Sequence, residues 1–209
     1  MDATGFVTAG GRSSRMGTDK GWLKLGGHAM IRRVIAALTP VTSSVAIIAN
    51  DPAYERIGLP VYADTHHGIG PLEAIRTALA NASTPRVVLA ACDLPFVTPE
   101  FFSFLLELEG SHQAVIPLSR EELLEPLCGV YSRAALAQVN EFIATGQRKV
   151  SRLFDKVPAR FVAFDEIIHL AGADLFFENV NTPEEFSRAR RLLGSSGDAR
   201  HSRQESRKS

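Results

Sequence analysis

A short apolar run, Gly5-Phe6-Val7, leads directly into Thr8-Ala9-Gly10-Gly11-Arg12-Ser13-Ser14-Arg15-Met16-Gly17-Thr18-Asp19-Lys20, a loop rich in glycine and in cations. Glycines at 10, 11 and 17 let the backbone turn through positive φ and bring bare N–H groups close to an anion. Arg15 and Lys20 add the counter-charge, while Arg12 reads as a solvated surface arginine. The chemistry implied is that of a polyphosphate cradle. The spacing excludes the two commonest phosphate loops: no Gly-Lys-Ser/Thr closes it, and no Gly-x-Gly-x-x-Gly follows the strand.

Further polar residues punctuate the ends of later apolar runs. Asn50 follows one, Asp64 another, Gly68-Ile69-Gly70-Pro71-Leu72 opens a helical stretch, and Cys92-Asp93-Leu94-Pro95 follows the run 87–91. Asp93 ends a strand and precedes a rigid Leu-Pro step, which suits a carboxylate at a sheet rim holding a magnesium ion shared with phosphate oxygens. The competing reading is an N-terminal cap for the helix that begins near Pro99.

The elements that position these residues alternate. Strands are expected at 6–7, 45–48, 61–62 and 87–91, and helices at 30–38, 52–57, 71–82 and 99–108, a rhythm of strand and helix that builds a mostly parallel, doubly wound α/β sheet with helices on both faces. In such sheets ligands lie beyond the carboxyl ends of the strands, where the residues above converge. Thr98 before Pro99 is a good helix cap. Past residue 110 strands are expected at 113–118, 125–131 and 160–164, with a helix at 133–145. A closing helix at 183–193 enters through Thr182, with Glu185 at capping-box spacing. The stretch 194–209 is rich in Ser, Arg and Gly with almost no apolar residue, so the expected organisation is one domain over 1–193 and a disordered tail over 194–209.

With 23 Lys+Arg against 23 Asp+Glu in 209 residues, the chain has no global field to draw nucleic acid or an acidic membrane surface. No apolar run approaches the ~20 residues of a bilayer span, and Met1-Asp2-Ala3-Thr4 lacks the features of a secretory signal, so a cytoplasmic protein is expected. Cys92 and Cys128 sit in apolar contexts and read as reduced core thiols. Trp22 and the phenylalanines at 101, 102 and 104 read as packing residues.

Four motifs carry a resemblance: residues 9–20, Asp64 with Gly70-Pro71-Leu72, Cys92-Asp93-Leu94-Pro95-Phe96, and Asn179-Val180-Asn181-Thr182-Pro183-Glu184-Glu185. Together they resemble the molybdenum cofactor guanylyltransferase family. The resemblance implies a Rossmann-like nucleotidyltransferase fold and transfer of GMP from GTP to the phosphate of molybdopterin, with magnesium as cofactor and pyrophosphate released. It implies GTP contacts from Thr8, Ala9, Gly10, Gly11, Lys20, Asn50, Asp64 and Asp93, catalytic roles for Arg15, Lys20 and Asp93, and the metal on Asp93. Asn179 and Asn181 fall at the far side of the cleft, near the pterin or a metal, and Arg148 in the basic segment 146–150 falls on the pterin side. Transient contact with cofactor-insertion proteins or molybdoenzymes is also implied.

Two positions depart from the family pattern: Thr8 replaces the usual Leu, and Glu73 a small residue. The alternatives are a cytidylyltransferase using CTP, a sugar-1-phosphate nucleotidyltransferase, and a nucleotide-binding module without turnover. Ala9-Gly10-Gly11 favours GTP, because the cytidylyl family resembles Ala-Ala-Gly there. Asn50 and the main chain of residues 8–10 are candidates to read the base, and Asp64 to accept from ribose hydroxyls. The attacking phosphate oxygen is already ionised near neutral pH, so the chemistry calls for cations rather than a general base.

Overall fold

The computed structural model describes residues 2–10, 19–64 and 70–205, with side chains through residue 194. In chain order the elements are β1 (Ala3–Thr8), β2 (Lys24–Leu25), β3 (His28–Ala29), α1 (Met30–Leu38), β4 (Ser44–Ile48), β5 (Val61–Tyr62), α2 (Pro71–Asn81) and β6 (Arg86–Ala91). There follow α3 (Pro99–Glu107), β7 (Ala114–Pro117), β8 (Cys128–Ser132), α4 (Leu136–Ala144), β9 (Ala159–Val162), α5 (Phe164–Ile167) and α6 (Pro183–Glu205). Among the described residues seven strands form one sheet in the order β5-β4-β1-β6-β8-β7-β9. Strand β8 runs antiparallel to both neighbours and the other pairings are parallel. The expected mostly parallel α/β sheet is the one observed.

Alternation along the strands divides the core in two. Val7, Val88 and Ala90 pack with Val34 and Leu38 of α1 and Phe101 of α3. Phe6, Val87 and Leu89 point the other way, onto Leu72 and Ile75 of α2 and Val139 of α4. Burial on both faces is why these strands read as continuous apolar runs. A third cluster of Leu25, Met30, Phe96, Val180 and Ala189 ties β2, the loop after β6 and α6 together. It brings the segment before α6 back to the loop that carries Asp93.

Helix starts follow their local chemistry. Gly70, at φ +62°, turns the chain into α2, with Pro71 in the first turn. Thr98 Oγ1 accepts from Phe101 N at 3.3 Å and caps α3, which leaves Asp93 free of the capping role weighed above. At α6, Thr182 Oγ1 accepts from Glu185 N at 3.2 Å while Glu185 Oε2 accepts from Thr182 N at 3.0 Å, the expected reciprocal cap.

Several boundaries differ from expectation. Residues 52–57 form a 3-10 helix, entered through Asp51, whose side chain accepts from Ala53 N, and stopped by Gly58 at φ +85°. Strand β8 starts at Cys128 rather than 125, because Pro126 has no N–H to offer a ladder. Helical backbone in α6 continues to Glu205, whereas its apolar packing stops at Leu193. Extending a helix already nucleated costs little per residue.

In α2, Glu73 is 1% exposed and accepts two bonds from Arg76, Nη2 to Oε1 at 2.6 Å and Nε to Oε2 at 2.9 Å. Removing one partner of a buried ion pair is costly. Arg76→Met should lower unfolding stability by about 3 kcal/mol in urea titration, and adding Glu73→Gln should recover part of the loss. Equal stability of Arg76→Met and wild type would refute the pair's importance.

Candidate active site

The parallel strands end together, so their trailing loops leave from one edge. Thr8 lies opposite Ile48 on one side and Ala91 on the other. Ala9 N donates to Ile48 O at 2.9 Å, Cys92 N to Thr8 O at 2.9 Å, and Ala49 N to Tyr62 O at 3.0 Å. Since the Ala9 N–H is committed to the sheet, main-chain contacts of the loop with an anion start no earlier than Gly10, which turns at φ +81°. Asn50 Oδ1 accepts from Asp64 N at 2.9 Å, and Asp64 Oδ1 accepts from the Thr77 hydroxyl at 3.3 Å. Thr8, Ala9, Gly10, Lys20, Asn50, Asp64 and Asp93 line a single cleft of 240 Å³. Gly11, Arg15 and residues 68–69 lie outside the described residues.

At the floor of this cleft the Lys20 ammonium donates to Asp93 Oδ2 at 2.6 Å and to Asn181 Oδ1 at 2.6 Å. The Lys20 and Asp93 side chains are 17% and 15% exposed, enough burial to strengthen the pair well beyond a surface salt bridge. Main-chain bonding fixes the third member: Val180 N donates to Asp93 O at 3.0 Å, and Asn181 N to Glu185 Oε2 at 2.6 Å. The asparagine pair is thereby split. Asn181 joins Lys20 and Asp93, whereas Asn179 Nδ2 turns to Phe177 O at 3.5 Å. Arg148 is exposed, with Nη1 on its own neighbour's carbonyl, Gln147 O, and does not line this cleft.

Lys20 itself is carried on a short 3-10 helix, Lys20–Trp22, capped by Asp19. Asp19 Oδ1 accepts from Gly21 N at 3.0 Å and from the Tyr54 hydroxyl at 2.8 Å. Trp22 stacks on the Tyr54 ring, centroids 4.9 Å apart and planes 17° apart. Burial first, then the bond to Asp19, pushes the Tyr54 hydroxyl far above its ordinary range, so it remains a protonated donor. Reading the sequence for phosphate chemistry does not single out Tyr54. The Asp-x-Gly spacing at 19–21 is a turn signature, but the phenol that completes it comes from a distant segment.

Other titratable groups near the edge are shifted by burial. Cys92 and Cys128 are buried free thiols, and burial raises both, so they are packing residues as expected. The antiparallel register, with Cys128 opposite Ala90, brings Glu125 alongside the end of β6. Its carboxyl is pushed up to about 7, first by burial and then by the negative charges of Asp93 and Glu121. A carboxyl whose folded value exceeds its unfolded one binds more protons when folded, so its contribution falls as pH rises through 4.5 to 7. Glu125→Gln should therefore stabilise the protein at pH 8 by about 1–2 kcal/mol after discounting for partial exposure, with the gain shrinking as pH approaches 5. Melting curves at the two pH values check this, and a gain independent of pH would refute it. A larger hollow, 670 Å³ between α4 and the turn at Val150–Asp155, contains none of the predicted site residues.

The description of the MobA-like NTP transferase domain fits residues 5–161 of the chain. A probable molybdenum cofactor guanylyltransferase of Pelotomaculum thermopropionicum is 34% identical over 201 residues, covering 96% of this chain and 98% of the relative. The molybdenum cofactor guanylyltransferase of Serratia proteamaculans is 33% identical, covering 88% and 92% respectively. Among solved structures, molybdopterin-guanine dinucleotide biosynthesis protein A of Archaeoglobus fulgidus superimposes with a TM-score of 0.78 at 26% identity, over 92% of this chain and 99% of that one.

Proposed function

The chain belongs to the MobA-like NTP transferase family, and from that premise we propose that it transfers GMP from GTP to the phosphate of molybdopterin, yielding the guanine dinucleotide and pyrophosphate. The observation that carries the reading is the Lys20–Asp93–Asn181 contact, placed where four parallel strand ends deliver a glycine loop and a carboxylate to one cleft. The names of the relatives support GTP over CTP as the donor. Asn50 is available to either base: with its Oδ1 accepting from Asp64 N–H, the amide NH₂ remains as a donor, and guanine O6 and cytosine O2 are both acceptors.

The residues fit a magnesium ion. Two hard oxygens, Asp93 Oδ2 and Asn181 Oδ1, already converge on one cation, the Lys20 ammonium. When bound there, magnesium would offset phosphate charge during displacement at the α-phosphorus. Lys20 would then turn its ammonium onto the phosphates, and its attraction grows as charge moves to the departing pyrophosphate. The cleft needs no proton acceptor for the nucleophile, because the acceptor phosphate is already anionic. The catalytic unit on this reading is 1–193, working in the cytoplasm.

The test is pyrophosphate release from the purified protein with magnesium, molybdopterin and either GTP or CTP. GTP should be preferred by at least about 10²-fold in kcat/KM, as sites that pair buried polar groups with a base discriminate strongly. Equal or better turnover of CTP overturns the assignment of the donor. Tight GTP binding without release would instead indicate a binding module.

A further inference from the structure

We propose that Tyr54 is the positioning residue for Lys20 and acts on it through Asp19. Lys20 lies between Asp19 and Gly21, and a single oxygen, Asp19 Oδ1, accepts from both the Gly21 N–H and the Tyr54 hydroxyl. The backbone on either side of Lys20 is thus tied to a phenol that is fully buried in the core beside β4. Trp22, two residues on, is held by stacking on the same ring. There is no slack in this seat: a methyl group at Gly21 would stand 2.2 Å from the Tyr54 hydroxyl oxygen. Such a support anchors the main chain while leaving the side chain of Lys20 free to rotate. That is the requirement for an ammonium that must leave Asp93 and Asn181 for a phosphate without its Cα drifting, since errors of about 1 Å in placement can cost about 10²-fold in rate.

This inference rests on the role given to Lys20 in the proposed function, and a double-mutant cycle separates the two. Tyr54→Phe removes the hydroxyl and keeps the ring against Trp22, and it is made in wild type and in Lys20→Met. In wild type, kcat for GMP transfer should fall by about tenfold with KM for GTP within about threefold. In Lys20→Met the same change should cost less than about twofold, while the loss of melting temperature is the same in both backgrounds. Equal fold losses of kcat on the two backgrounds, or none in wild type, overturn the proposal.

Asp19 supplies the second pair of variants. Asp19→Asn keeps the shared acceptor oxygen and should lose less activity than Asp19→Ala, and the reverse order also overturns the proposal. If wild type transfers no GMP, the functional reading fails by itself, and the cycle is read in calorimetric affinity for GTP with magnesium. There, a Tyr54→Phe loss of up to about threefold that vanishes in Lys20→Met supports the proposal, and one that persists, no loss in wild type, or no GTP binding at all overturns it.

Discussion

Lys20→Met lowers kcat/KM for GMP transfer by at least about 10²-fold, equivalent to about 2.7 kcal/mol of transition-state stabilisation, while raising the affinity of the nucleotide-free protein for a divalent ion. The two effects should have opposite signs if, as proposed, one ammonium serves both the phosphates and the two oxygens. It satisfies both Asp93 Oδ2 and Asn181 Oδ1 at 2.6 Å, so an incoming cation must displace it. Methionine fills similar volume with no charge, leaving the two oxygens to the ion. A unit charge a few ångströms away is worth up to about 4 kcal/mol at an effective dielectric of 20, which partial exposure and salt reduce to a gain of about tenfold in affinity. Steady-state kinetics gives the first number. Titration with Mn²⁺ followed by electron paramagnetic resonance, with no nucleotide present, gives the second. A kinetic loss of only a few-fold would remove Lys20 from the mechanism, and an unchanged Mn²⁺ affinity would mean that the ammonium does not compete for Asp93.

What could be read from residues alone follows the range of the interactions. A parallel sheet sends all its carboxyl ends to one edge, so an apolar run ending in Gly10, Asn50, Asp64 or Asp93 already tells where the next polar group will stand. The shared cleft of these four residues was legible for that reason. Capping was legible too, because Thr98 and Thr182 act on neighbours three residues away.

The contact of Asn181 with Lys20 and Asp93 was not legible, since it depends on the return of the segment before α6 through Val180 N to Asp93 O and on the packing of Val180 with Leu25, Met30 and Phe96. Nothing local encodes that return. Tyr54 was missed on the same ground: its partner Asp19 lies 35 residues earlier, and the intervening loop, helix and strand decide the meeting. Glu125 stands beside the end of β6 only because β8 reverses direction, a break in the parallel rhythm that period-two patterning does not reveal.

Asp93→Asn should prove the most damaging single change, lowering kcat/KM by at least about 10³-fold, or about 4 kcal/mol, and abolishing the dependence of GTP affinity on magnesium. The substitution isolates charge from architecture. An asparagine keeps nearly the same shape and a carbonyl oxygen toward Lys20, and the main-chain bond from Val180 N to the residue 93 carbonyl is untouched. The start of α6 and the seat of Asn181 therefore stay in place, and the melting temperature should change by only a few degrees. What is lost is the anionic oxygen among the two that converge on the cation. A neutral carbonyl binds a hard divalent ion far more weakly than a carboxylate does. Asn181→Ala should be milder than Asp93→Asn in the same assay, because it deletes a neutral ligand. Calorimetry of GTP binding with magnesium and with EDTA decides the matter: wild type should bind more tightly with the metal, and Asp93→Asn equally in both. If the variant retains the magnesium effect, the ion is held elsewhere, and the Asp93–Lys20 pair is a structural clasp between β6 and the loop after β1.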